Sequence, residues 1–87
     1  MKKLVQVQEV DGEGLEALMG QRVTLFCMNY IYTGLLDGVN TTCVLLKDPY
    51  IVYETGSFTA KEWLDAQKLP NSLYVQVAAI ESFSIMK

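Results

Sequence analysis

Short runs of apolar residues, separated by polar turns, predict a mostly β fold. Residues 5–8 alternate apolar and polar side chains, as a half-buried strand does. Later runs are apolar on both faces, which is typical of strands that are covered on both sides. We predict the five strands of a main sheet at 22–28, 30–39, 43–47, 73–80 and 83–86, with the third continuing into 50–53.

A first helical signal precedes these strands. Leu15, Leu18 and Met19 recur at helical spacing, and acidic side chains stand near the start of the segment. Gly20 follows directly, and glycine is common just past the end of a helix. The pattern predicts one or two turns of helix before the first strand of the main sheet.

A second helical signal lies between the third and fourth predicted strands. Thr59 and Glu62 have the spacing of a capping box, in which each residue satisfies a free backbone N–H at a helix start. We therefore predict a helix from Thr59 to about Lys68. It belongs to a loop-and-helix insertion at about 49–72, before strand four.

Gly34 lies in the middle of the second predicted strand. A glycine inside an apolar strand marks a bulge or a sharp bend, and small barrels need such bends to close. The spacing of Gly34, Leu36, Val39, Asn40 and 43–48 resembles the first signature motif of Sm-like proteins, and its end resembles the bacterial Hfq version. The resemblance implies a strongly bent five-stranded antiparallel barrel with a short N-terminal helix.

Sm-like proteins assemble as rings in which strand four of one subunit pairs with strand five of the next. The resemblance therefore implies a cyclic homo-oligomer. An open barrel leaves two unpaired strand edges, and a head-to-tail contact between copies satisfies both. The alternative is a monomer whose edges are covered by the insertion. The residues predicted for the subunit interface are Tyr74, Val75, Val77, Phe83 and Ile85.

Single-stranded RNA is one partner that the resemblance implies, bound near the ring pore by the turn between strands two and three. Asn40 occupies the family's acidic position there, with Thr41 and Thr42 beside it. Thr42 stands near an aromatic position of the family, so a stacking platform worth about 1–3 kcal/mol per base is missing. Residues 78–81 replace the Arg-Gly of Sm proteins and the Tyr-Lys-His of Hfq with Ala-Ala-Ile-Glu. The resemblance thus implies RNA binding of reduced or altered specificity.

Another protein is the second partner class, favoured by the aromatic residues in and around the insertion. Aromatic side chains concentrate at protein interfaces, and Tyr50, Tyr53 and Trp63 are the candidates for such a surface. Packing within the core or between subunits is the alternative interpretation of the same residues. The full predicted cluster consists of Tyr30, Tyr32, Tyr50, Tyr53, Phe58 and Trp63.

Composition narrows the partner classes. A net charge of −3 and a pI near 4.7 argue against tight, non-specific binding of polyanions. Residues 1–87 make a single small domain, and its apolar content of 51% favours a further buried surface between subunits. The longest apolar runs are far too short to span a membrane. We therefore expect a cytoplasmic protein with no membrane partner.

Candidate catalytic chemistry is sparse. The chain has no histidine, which excludes histidine-based triads and ordinary zinc sites. Cys27 and Cys43 lie in apolar strand patterns typical of buried free thiols. A disulfide between them is the alternative if their strands lie side by side. We predict a non-enzymatic, ring-forming binding scaffold without cofactor or metal that associates with RNA. The alternative is a protein-interaction module that keeps the oligomer and does not bind RNA.

Overall fold

Six antiparallel strands dominate the computed structural model, which describes residues 14–87. Strands make up 54% of these residues, and the sheet that they form is not closed. The strands are β1 (Arg22–Cys27), β2 (Ile31–Val39), β3 (Cys43–Glu54), β4 (Asp65–Lys68), β5 (Leu73–Gln76) and β6 (Ile80–Ser84). Two 3-10 turns accompany them, at Leu15–Leu18 and Val77–Ala79. The strand predicted at residues 5–8 lies outside the described residues.

The long strand β3 organises the sheet. The strand order is β4-β3-β2-β1-β6, and β5 also pairs with β3. β2 runs along one edge of β3, while β5 and β4 share the opposite edge. There, β5 pairs with residues 43–46 and β4 pairs with residues 50–54. One 12-residue strand therefore pairs with three others, β2 on one edge and β4 and β5 on the opposite edge.

The pairing of β2 with β3 is irregular next to Gly34, as the glycine in β2 predicts. Thr33 pairs with Tyr50 but Leu35 pairs with Lys47, so two residues of β3, Asp48 and Pro49, lie opposite the single residue Gly34 of β2. One of these residues, Asp48, has a φ of 48°, in the left-handed region. The predicted irregularity at Gly34 is confirmed, and it takes the form of a bulge in the facing strand.

The hydrophobic core lies between the bent strands. Its buried side chains come from four different strands, and the first 3-10 turn contributes Leu15 and Leu18 at its margin. The turn is followed by Gly20, whose φ of 81° lies in the left-handed region. A single 3-10 turn thus stands where one or two turns of helix are predicted. The core residues are Val23, Leu25, Leu36, Val44, Leu46 and Val75.

The predicted helix from Thr59 to Lys68 is wrong. The structure has turns followed by the short strand β4, which pairs with the outer half of β3. Thr59 N–H donates to Ser57 Oγ at 3.3 Å, and the two hydroxyls lie 2.8 Å apart, so Thr59 takes part in a turn with Ser57 and not in a capping box with Glu62. Pairing with an exposed strand edge outweighs a weak local helical preference. The predicted five-stranded barrel is corrected to a six-stranded open sheet.

The predicted fourth strand is shorter than expected because the chain changes strand partners at its end. β5 pairs with β3, whereas β6 pairs with β1. The 3-10 turn Val77–Ala79 connects the two strands. Its position is fixed by two hydrogen bonds: Val77 N–H donates to Thr42 O at 2.9 Å, and Met28 N–H donates to Ala79 O at 3.1 Å. β6 consequently begins at Ile80, earlier than the predicted fifth strand at 83–86.

Candidate functional sites

The turn between β2 and β3 is shaped by the side chain of Asn40. Its Oδ1 atom accepts hydrogen bonds from Thr42 N–H at 2.8 Å, Thr42 Oγ1–H at 3.0 Å and Cys43 N–H at 2.8 Å. Such an Asx turn uses a side-chain oxygen in place of a backbone carbonyl. The side-chain oxygen of Asn40 is therefore already occupied by hydrogen bonds within the turn. Its amide N–H groups and the exposed Thr41 and Thr42 are what the turn offers to a ligand.

Three strands, β4, β5 and β6, each have one unpaired edge among residues 14–87, and the predicted subunit contact concerns the edges of β5 and β6. β5 pairs with β3 on one side only, and β6 pairs with β1 on one side only. Three of the predicted interface residues, Tyr74, Phe83 and Ile85, are exposed along or beside these edges. The other two contribute to the fold of the single chain, because Val75 is buried in the core and Val77 packs against it.

A groove of about 370 Å³ lies between β5 and the turn that joins β1 to β2. Met28 and Tyr30 stand exposed at one wall, and Tyr74 stands exposed at the other. The rings of Tyr30 and Tyr32 lie 6.2 Å apart between their centroids. The groove thus presents aromatic and apolar side chains next to the unpaired edge of β5.

A second cleft, of about 660 Å³, lies on the face that carries β4. Arg22 lies at its margin with its guanidinium 5.2 Å from the centre of the Tyr50 ring. Lys68 Nζ lies 3.8 Å from Asp48 Oδ1 in an exposed ion pair. Of the five Lys and Arg side chains in residues 14–87, four line this cleft: Arg22, Lys61, Lys68 and Lys87. Three acidic side chains also line it, so its charge is mixed.

The predicted aromatic cluster is divided between these two sites. Tyr30 and Tyr32 line the apolar groove, whereas Tyr50 and Trp63 line the charged cleft. Phe58 belongs with Trp63, since the two rings meet edge to face at 6.2 Å. A single aromatic surface is therefore not formed, and Tyr53, exposed on β3, lines neither site.

Lys87 completes the charged cleft in a way that the sequence does not indicate. Its ammonium donates to the carbonyl oxygens of Thr55 at 3.1 Å, Ser57 at 2.6 Å and Glu62 at 3.1 Å. The same nitrogen lies 4.5 Å from the centre of the Trp63 ring and 5.9 Å from that of Phe58. Lys87 and Glu62 are 25 positions apart. No local pattern links residues at that distance.

The two cysteines remain separate thiols. Cys27 lies in β1 and Cys43 in β3, with β2 between them, and both are free. Burial, and secondly the negative charge of Glu81, raises the pKa of the Cys27 thiol above its ordinary value. Within the described range 14–87, no group of three or more His, Cys, Asp or Glu side chains is placed to hold a metal ion.

No family model matches the chain, and no curated protein matches it. Residues 14–87 contain no helix of the length and apolar character that a membrane crossing requires. The functional argument therefore rests on the geometry of the turn, the two strand edges, the groove and the charged cleft.

Proposed function

We propose that this chain is a non-enzymatic binding scaffold of the Sm-like type that assembles with copies of itself through the edges of β5 and β6. The observation that carries the proposal is that β5 and β6 each have an unpaired edge, flanked by exposed apolar side chains, in a sheet that is not closed. Unpaired N–H and C=O groups at an edge favour pairing with another strand. Exposed aromatic and apolar side chains at Tyr74, Phe83 and Ile85 add burial to those hydrogen bonds.

The two edges belong to different strands of similar length. β5 has four residues and β6 has five. Pairing of β5 in one copy with β6 in the next uses two different surfaces, so the contact is head-to-tail and generates a ring when its rotation closes. This arrangement covers the free edges of both β5 and β6. It also agrees with the apolar content of 51%, which is high for a small chain.

A protein partner is favoured over RNA for the assembled scaffold. The Asn40 side-chain oxygen already accepts three hydrogen bonds within its own turn, which leaves only the amide N–H groups of Asn40 to bind a base. Exposed Glu81 and the net charge of −3 oppose phosphate binding. Tyr50 and Trp63 instead lie beside the mixed charges of the cleft, and Tyr53 is exposed elsewhere on β3; aromatic side chains of this kind are typical of protein interfaces. A cytoplasmic location, with both thiols reduced, belongs to the same proposal.

Matched variants on and off the proposed edge test the assembly. The side chains of Tyr74 and Leu64 are similarly exposed, at 70% and 74%, but only Tyr74 lies on β5. We expect Tyr74→Glu to lower the mass measured by light scattering to that of the 9.8 kDa chain, because it places charge at the contact. Leu64→Glu should keep the wild-type mass. Equal masses for the two variants and the wild type would remove β5 from the contact.

Binding of short U-rich and A-rich oligonucleotides tests the RNA alternative. Fluorescence anisotropy at moderate salt measures it directly, with Asn40→Ala as the site variant. We expect no saturable binding by the wild type. Saturable binding that Asn40→Ala weakens would restore RNA as the ligand of the turn and would contradict the preference for a protein partner.

A further inference from the structure

The segment from Thr55 to Trp63 surrounds a single ammonium group. Three backbone carbonyl oxygens converge on Lys87 Nζ at distances of 2.6–3.1 Å. Two aromatic rings complete the enclosure, with the Trp63 ring centre at 4.5 Å and that of Phe58 at 5.9 Å. We call this arrangement of Thr55, Ser57, Phe58, Glu62 and Trp63 the ammonium cage.

The chemistry of the cage matches a primary ammonium. A lysine ammonium has three N–H donors and no acceptor, and the cage supplies three acceptors. The faces of Trp and Phe attract a cation through their ring quadrupoles. No carboxylate in residues 14–87 forms an ion pair with Lys87, so carbonyl dipoles and aromatic rings provide the attraction. A quaternary ammonium could use the rings but has no N–H to donate.

Hydrogen bonds within the segment also hold two of the three carbonyl groups of the cage. Leu64 N–H donates to Thr55 O at 3.4 Å, and Ala60 N–H donates to Ser57 O at 3.1 Å. A carbonyl oxygen has two lone pairs, so Thr55 and Ser57 can accept these bonds together with those from the ammonium. Gly56 turns the chain with a φ of 66°.

The occupant comes from a separate part of the chain. Lys87 follows β6, and residues 85–87 have no regular secondary structure. Trp63 Nε1 is buried and has no hydrogen-bond partner among the described residues; as a donor it adds nothing to the binding of an ammonium, which the Trp63 ring face provides. The site therefore combines a receptor segment that has some internal hydrogen bonds with a ligand on residues 85–87, which have no strand pairing.

We propose that the ammonium cage is a binding site for the primary ammonium of a lysine side chain, filled here by Lys87 and open to a lysine of another protein when Lys87 withdraws. Lys87 then acts as a built-in competitor, since a tethered ligand has an effective concentration in the millimolar range. None of the cage residues lies on β5 or β6, so the receptor side of the inference stands apart from the proposed assembly, whereas Lys87 follows the predicted contact residue Ile85 by two positions.

Tryptophan fluorescence gives a direct readout, because Trp63 is the chain's single tryptophan. The experiment titrates n-butylammonium chloride into wild type and Lys87→Gln at constant ionic strength, with circular dichroism to verify the fold. We expect a saturable change of Trp63 emission in Lys87→Gln and an apparent affinity about tenfold weaker in the wild type, where Lys87 competes. Lys47→Gln, which removes a lysine outside the cleft, should behave as the wild type.

Two further probes identify the chemistry of the site. Butyltrimethylammonium keeps the charge and the chain but lacks N–H donors, and n-butanol lacks the charge. Both should bind Lys87→Gln more weakly than butylammonium does. Lys87→Met, which retains an unbranched apolar stem, serves as a second variant if Lys87→Gln loses its fold. An equal response to all three probes, no saturable response in a folded Lys87 variant, or identical titrations of variant and wild type would overturn the proposal.

Discussion

The Cα atom of Pro49 lies 3.2 Å from the position that a Cβ atom would occupy on Gly34. Leu46 Cβ and Lys47 O would each lie 3.1 Å from the same position. Real Cβ atoms rarely have neighbours this close, and two of these three atoms belong to the backbone. The absence of a side chain at Gly34 is therefore what allows β3 to bulge against β2.

Substitution of Gly34 should destabilise the fold. We expect Gly34→Ala to lower the free energy of unfolding by about 1–3 kcal/mol, because β3 must shift to admit the new methyl group. Gly38→Ala is the matched control, since its Cβ would meet only Leu45 Cβ, at 3.4 Å. Urea unfolding measures both. Equal losses in the two variants would contradict the close approach at Gly34.

Replacement of two buried threonines by valine should change the stability of the fold in opposite directions. Thr33 Oγ1–H donates to Val23 O at 3.0 Å, whereas the Thr24 hydroxyl has no partner within residues 14–87. Thr33→Val should cost about 1 kcal/mol of unfolding free energy, because it leaves an acceptor unpaired. Thr24→Val should leave stability unchanged or raise it, because it removes an unpaired buried hydroxyl. Thermal unfolding that ranks the two variants in the reverse order would contradict this assignment.

Asn40 should behave as a structural residue of its turn. Asn40→Ala removes the acceptor of three hydrogen bonds and should lower the free energy of unfolding by about 1 kcal/mol, a modest figure because the turn is exposed. Asn40→Asp keeps two acceptor oxygens and should retain most of that stability at neutral pH. Chemical denaturation compares the two variants, and an Asp variant as unstable as the Ala variant would refute the role of Oδ1.

The Cys27 thiol should respond to the charge of Glu81. Burial and then Glu81 raise its pKa, so Glu81→Gln should move the midpoint of its alkylation rate to lower pH. The measurement is made in Cys43→Ser protein, where Cys27 is the remaining thiol. An unchanged midpoint would show that Glu81 exerts no influence on the thiol.

The same raised pKa fixes the sign of a stability effect. The folded state holds the Cys27 proton more tightly than the unfolded state does, so this contribution to stability is complete below the unfolded pKa. It is lost as the pH rises through the folded pKa. Cys27→Ser should therefore flatten the alkaline decline in unfolding free energy, and an equally steep decline would contradict the linkage.

The apolar strands and the bend in β2 could be predicted because their signals are local. Apolar runs locate β1, β2 and β3, and Gly34 locates the irregularity between β2 and β3. Strand β4 could not be predicted, because Asp65–Lys68 is short and mostly polar and becomes a strand only by pairing with the edge of β3. Its local helical signals were therefore misleading.

The candidate sites divide in the same way. Asn40 was predicted to lie in the turn between two strands, but its three hydrogen bonds within that turn depend on geometry that composition does not reveal. Trp63 was predicted as part of a partner surface, yet its contact with Lys87 joins distant parts of the chain. Long-range contacts of this kind follow from the topology of the sheet, and a short sequence pattern does not encode them.

The mass of the wild-type protein in solution tests the central proposal most directly. Sedimentation equilibrium over a range of concentrations gives that mass without assumptions about shape. Assembly through the β5 and β6 edges predicts a defined multiple of the 9.8 kDa chain that Tyr74→Glu reduces to a single copy. A mass of 9.8 kDa for the wild type at every concentration would contradict the account.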